Sequence, residues 1–266
     1  MDMGDYLKKI ANGMFGKQQP YHLTQQEEPP EVRPVIMILE DLAAFGDADW
    51  AKYAFSREPL NGKFTDVMRV ELTQKALACG RAEAQKCMEK YNTDNPNILA
   101  EKLGLRVEYP DKPQSLARVL FAEFEDPDRI FIYMDGVQRG RDLLADTCVG
   151  TLLGNPKLTE VLLAHEIFHY VEQQNKNEIW TKNYRMDMSI AKIFRQRVRV
   201  AVLSEIAAMG FAGYLTSLPY LPYVMDAFLV YGYSPQAASA LYEEMMKLAG
   251  KEPRLATEDG KGGKVE

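Results

Sequence analysis

Histidine and cysteine are scarce in this chain, with three of each among 266 residues, and there are only two tryptophans. Cys79, Cys87 and Cys148 are odd in number and lack metal-type spacing. That fits a reducing compartment better than a disulfide framework, and Cys79 and Cys87 read as small apolar helix residues rather than as ligands. The chain is accordingly read as cytoplasmic. Long hydrophobic runs are missing too. The longest, Val200 to Tyr214, is interrupted by Glu205 and falls short of the ~18 uncharged residues of a membrane span. The first twenty residues carry Asp2, Asp5, Lys8 and Lys9, with no apolar run of signal length. A basic excess is also absent. The formal net charge of −6 argues against direct nucleic-acid binding and against an anionic membrane surface.

The remaining composition, 46% hydrophobic and 26% charged, is that of an ordinary globular protein. Gln18 to Pro34 is rich in Gln, Glu and Pro and reads as an arm. Ile36 to Phe55 reads as helix with a poor pattern. Residues 1–60 therefore form an arm and helical extension, 61–251 the main domain, and the polar, Gly-rich 252–266 a disordered tail. Thr65 to Tyr91 is the first well-patterned helix, and Asn97 to Leu103 a short one stopped by Gly104. Leu105–Tyr109, Ala117–Glu125 and Ile130–Met134 read as three short strands separated by Pro/Asp turns. The third of these is either an edge that pairs with an extended substrate or an ordinary core strand. Helical pattern follows over Asp142–Leu153, Leu158–Asn175, Ser189–Thr216, Tyr223–Tyr231 and Pro235–Leu248. The class is α+β, mostly helical with a small three-stranded sheet beside the helices that carry the candidate site.

Two of the three histidines fall in His165-Glu166-Ile167-Phe168-His169. On a helix, residues four apart lie about 40° apart around the axis, so both imidazoles face one side and can share a metal ion. Glu166 lies about 60° from His169, close enough to take a proton from an attacking water without itself binding the ion. Chance produces such a pattern in roughly one chain in a hundred of this length. Here Leu158, Val161 and Leu162 lead the apolar stripe into His165, so the histidines continue a buried face. A zinc ion, one per chain, is the metal implied.

Catalytic zinc sites use three protein ligands. A third histidine at the HExxHxxGxxH position is excluded, because Glu172 and Asn175 stand where Gly and His are needed. Glu205 is the strongest candidate, since it is the only charge between Val200 and Leu215. A lone carboxylate there is costly unless paired. A distant salt bridge or a protonated acid is the alternative, and Glu178 and Asp187 are weaker ligand candidates. Arg195, Arg197 and Arg199 form a basic run in which Arg195 and Arg199 share a helix face, read as solvated rather than as binding an acidic partner. Tyr170, Tyr184 and Tyr214 lie near the motifs, and none is singled out as catalytic.

Three segments, taken in order, resemble the ImmA/IrrE family of zincin-like zinc metallopeptidases. They are Asn95 to Val107, Leu163 to His169, and Glu205 to Leu215 followed by Leu218-Pro219. Phe168 stands where that family usually has Gly. The resemblance implies a zincin-like fold, His165, His169 and Glu205 as zinc ligands, and Glu166 as general base. It further implies a protein or peptide substrate, such as a repressor or another regulator encoded beside this chain. The rival expectation is a non-proteolytic regulatory or interaction protein that keeps the metal.

Overall fold

The computed structural model describes residues 31–111, 120–190 and 194–255. It is mostly helical with a small three-stranded sheet, an α+β arrangement. Among the described residues no helix is long and apolar enough to cross a membrane.

Helices α1 (Val35–Ala43) and α2 (Trp50–Ser56) replace the single helix expected over Ile36–Phe55. They bury Ile38, Leu39, Leu42, Trp50, Tyr53 and Phe55 in the same core as the rest of the described residues. Helix α3 (Asp66–Tyr91) is started by Thr65, whose hydroxyl accepts from Met68 N at 3.2 Å. Helix α4 (Pro96–Lys102) is capped by the Asn95 side chain, which accepts from Asn97 N and Ile98 N. Gly104, at φ +73°, turns the chain out of it.

The sheet contains β1 (Arg106–Glu108), β2 (Ala122–Glu125) and β3 (Arg129–Ile132) in the order β1-β3-β2. β1 runs parallel to β3, with Val107 opposite Ile130. β2 runs antiparallel, with Phe124 opposite Ile130. Of the two readings of the third strand, the ordinary core strand holds: β3 is central, and β2 is an edge. The expected strand from Ala117 begins at Ala122; residues 112–119 lie outside the described residues.

Helices α5 (Met134–Leu144) and α6 (Thr147–Leu153) stand where one helix was expected over Asp142–Leu153. Asp146 divides them. Its carboxylate accepts from Cys148 N at 2.8 Å and Val149 N at 3.3 Å, which opens a new helix. Helix α7 (Leu158–Gln174) carries the histidines. After α8 (Trp180–Asn183) the chain forms a hairpin of β4 (Met186–Ile190) and β5 (Phe194–Val198). The helix expected from Ser189 is therefore confined to α9 (Val202–Leu215). From Phe194 to Val200, Arg195, Arg197 and Arg199 alternate with Gln196, Val198 and Val200. That is the period of a strand, and Arg195 and Arg197 lie in β5 and not in a helix. Asp187 pairs with Arg197 across the hairpin.

Helices α10 (Val224–Tyr231) and α11 (Pro235–Ala249) complete the fold. α9 packs between α3 and α7, and the other side of α7 meets β2, β3 and α4. Close approach of α9 to α3 is permitted by two glycines. A Cβ on Gly80 would lie 1.9 Å from the Ala207 carbonyl oxygen, and one on Gly210 would lie 2.6 Å from that of Leu77. Glu58, 4% exposed, fixes the start of α9, where its Oε2 accepts from Val202 N at 3.1 Å. Residues 252–255, expected to open a disordered tail, are held. The Arg254 guanidinium donates to Met37 O, Glu40 and Asp41, because a cation with several donors can satisfy the carboxylates and a carbonyl of α1 together. Residues 256–266 and 1–30 lie outside the described residues.

Candidate metal centre

Helix α7 turns Leu158, Val161, Leu162, Ala164, Ile167 and Phe168 into the core. The same helix carries His165 and His169 one turn apart. Their Nε2 atoms lie 3.2 Å from each other. Glu205, in the first turn of α9, brings its Oε2 to 3.4 Å from His165 Nε2 and 3.7 Å from His169 Nε2. A helix N-terminus favours a carboxylate at that position. The three candidate ligands named from the sequence are thus brought together by two helices. Glu178 is exposed and Asp187 pairs with Arg197, so neither joins the group.

The three side chains suit a metal ion. Each offers one ligand atom, and these atoms lie within 4.8 Å of one another. Tetrahedral zinc with bonds of about 2.0–2.1 Å sets its ligand atoms about 3.3 Å apart, close to the separations here. Glu205 Oε2 is buried and, among the described residues, has no hydrogen-bond partner. Two imidazole nitrogens and a carboxylate oxygen can all donate electron pairs to one shared cation. The buried His165–His169–Glu205 group could therefore hold a metal ion.

Without an ion, the protein groups polarise one another strongly. Burial pushes His165 down to about 4, with His169 adding to the effect. Burial also opposes charge on His169, but Glu205 outweighs it and raises His169 to about 9. Glu205 is likewise disfavoured by burial, yet the two histidines hold its carboxyl well below the usual range. Glu166 is raised to about 7, mainly by burial, while His169 and the backbone N–H of Phe124 pull the other way. Glu166 therefore sits beside the histidines and next to the β2 edge. The open side of the group lies at His169 and Glu205, whose side chains are 19% and 20% exposed, against 2% for His165.

Phe168 does not narrow the site. It is fully buried and packs its ring against Phe211 of α9, at 5.8 Å between centroids. The tyrosines near the motifs are otherwise engaged. Tyr170 donates to Leu103 O and packs on Phe124, Tyr184 packs on Trp180, and Tyr214 is exposed.

Three residues that the sequence did not single out support the group. Glu172, 1% exposed, lies one turn beyond His169 on α7. Its carboxylate accepts from Thr181 Oγ1 at 2.5 Å and Ser204 Oγ at 2.7 Å, and pairs with Lys182 Nζ at 2.8 Å. Ser204 Oγ lies 3.5 Å from His169 Nδ1. Glu58, the third, holds the turn of α9 from which both Ser204 and Glu205 project. The i, i+3 spacing of His169 and Glu172 was a usable signal. Nothing local links Glu58 to α9. No protein-family model, curated protein or solved structure matches this chain, so the chemistry of the centre follows from its own residues.

Proposed function

We propose that this chain is a zincin-like, zinc-dependent endopeptidase acting on a protein or peptide substrate. The observation that carries the reading is the convergence of His165, His169 and Glu205 with Glu166 beside them. Two histidines and a glutamate are a ligand set used by catalytic zinc, which leaves a coordination position open. Bound there, zinc supplies Lewis acidity, acidifying a water and polarising a carbonyl.

The remaining work falls to the chain. Glu166 has its carboxylate held in a buried position, raised to about 7, where it can take a proton near neutral pH and give it back. It accepts the proton from the attacking water and delivers it to the leaving nitrogen of the cleaved bond. The β2 edge runs past Glu166 and can pair with an extended substrate backbone, which would hold the scissile bond in place. The resemblance to ImmA/IrrE peptidases supports a regulator encoded beside this chain as the substrate, with the cytoplasm as the place of action.

Glu166→Gln tests the reading. The amide keeps the size of the side chain and removes the base. Zinc content should be unchanged, and cleavage of the neighbouring regulator, followed by gel and mass spectrometry, should fall by about a hundredfold or more. Cleavage at the wild-type rate would refute general-base catalysis by Glu166. Zinc binding without any cleavage by the wild type would favour a non-proteolytic metal-binding regulator.

A further inference from the structure

We infer that Glu172 and Ser204 are positioning residues that fix the orientation and tautomer of His169 as a metal ligand. The inference rests on the metal-centre reading and adds a proton inventory to it. Glu172 is buried and has three donors on its two oxygens, namely Thr181 Oγ1, Lys182 Nζ and Ser204 Oγ. A lysine at 2.8 Å requires the carboxylate to be the charged acceptor. The single hydroxyl proton of Ser204 is thereby committed to Glu172. Toward His169 Nδ1, 3.5 Å away, Ser204 Oγ can only accept. Nδ1 must then carry a hydrogen, and Nε2 is the nitrogen that gives up its proton. Nε2 is also the atom that faces His165 Nε2 and Glu205 Oε2. The arrangement selects the tautomer whose lone pair points into the centre.

The same chain of contacts makes His169 a better donor. A carboxylate behind a metal-bound histidine orients the ring and raises its basicity, and losing such support costs 10–100-fold in affinity. Here the carboxylate acts through a hydroxyl. It comes from the helix of the histidines, and the hydroxyl comes from the residue before Glu205. Ser204 and Glu172 therefore tie the two ligand-bearing helices into one register.

The experiment measures Zn²⁺ affinity by chelator competition and the Co²⁺ ligand-field absorption of wild type, Ser204→Ala, Ser204→Thr and Glu172→Gln. Melting of the chelator-treated proteins reports fold. Ser204→Ala should keep its fold, bind Zn²⁺ about 10–100-fold more weakly and shift the Co²⁺ bands. Ser204→Thr, which keeps the hydroxyl, should restore both. Glu172→Gln should weaken Zn²⁺ in the same direction. If wild type binds Zn²⁺ and Ser204→Ala binds it equally tightly with unchanged Co²⁺ bands, the positioning role is wrong and the metal centre stands. If wild type binds no Zn²⁺, the metal-centre reading fails and this inference fails with it.

Discussion

Gly80 of α3 and Ala207 of α9 touch backbone to backbone, so that a Cβ on Gly80 would sit 1.9 Å from the Ala207 carbonyl oxygen. Ala207 lies two positions beyond Glu205 on the same helix, so this contact sets how deeply Glu205 reaches toward the histidines. Gly80→Ala must push α9 away from α3. The expected cost is about 3 kcal/mol, the upper end for overpacking, together with weaker Zn²⁺ binding. Gly62→Ala, with nothing within 4 Å of its Cβ, serves as control and should be near neutral. Urea denaturation of the chelator-treated proteins checks the first effect and chelator competition the second.

A second prediction concerns Arg57 and Asp226, which pair at 3.0 Å in the core, with Tyr53 OH also on Asp226 Oδ2. Burial raises the Asp226 pKa above 3.8 even with Arg57 beside it. Arg57→Met leaves that carboxylate without its cation and should cost about 3–5 kcal/mol at neutral pH. The sign of the pH dependence follows from the raised value. The folded variant holds a proton that the unfolded chain has already released, so it gains stability as pH falls. The deficit should therefore shrink on acidification, from the raised folded value down to the ordinary carboxylate range. Urea midpoints for variant and wild type across that range test it. A deficit that grows in acid contradicts it.

Glu205 separates a ligand from an awkward buried acid. As a ligand, its replacement by Leu should abolish tight Zn²⁺ binding, because two histidines remain where three ligands are needed. Were it only an unpaired acid in an apolar helix, Glu205→Leu would stabilise the fold and leave Zn²⁺ affinity unchanged. Thermal melting with and without Zn²⁺ distinguishes these outcomes. Zn²⁺ should raise the wild-type melting temperature and leave that of Glu205→Leu where it was.

Much of the candidate site was legible in the sequence because its signals are local. Four-residue spacing puts His165 and His169 on one helix face. Glu205 stood out as the lone charge in an apolar stretch, and the structure brings it to the histidines. The three short strands were legible from their β-branched and aromatic content. Their order was not, because pairing is a tertiary choice, and so the sequence left β3 open between an edge and a core strand. The helix expected from Ser189 failed for a different reason. Apolar residues spaced to suit a helix overlapped the strict alternation of Arg195, Arg197 and Arg199, and the alternation prevailed. Asp146 split another helix because its side chain caps better than it propagates. The i, i+3 spacing of His169 and Glu172 was a local signal, but the links of Glu172 to Ser204 and of Glu58 to α9 join residues far apart in the chain, and no periodicity reports those.

The central claim is that His165, His169 and Glu205 form one metal centre. The most direct test is to strip the protein with chelator and titrate Zn²⁺ into wild type and Glu205→Ala at neutral pH. Elemental analysis then follows removal of free metal. The account predicts one Zn²⁺ per wild-type chain and none retained by Glu205→Ala. A wild type that retains no Zn²⁺, or a Glu205→Ala variant that retains one per chain, would contradict it.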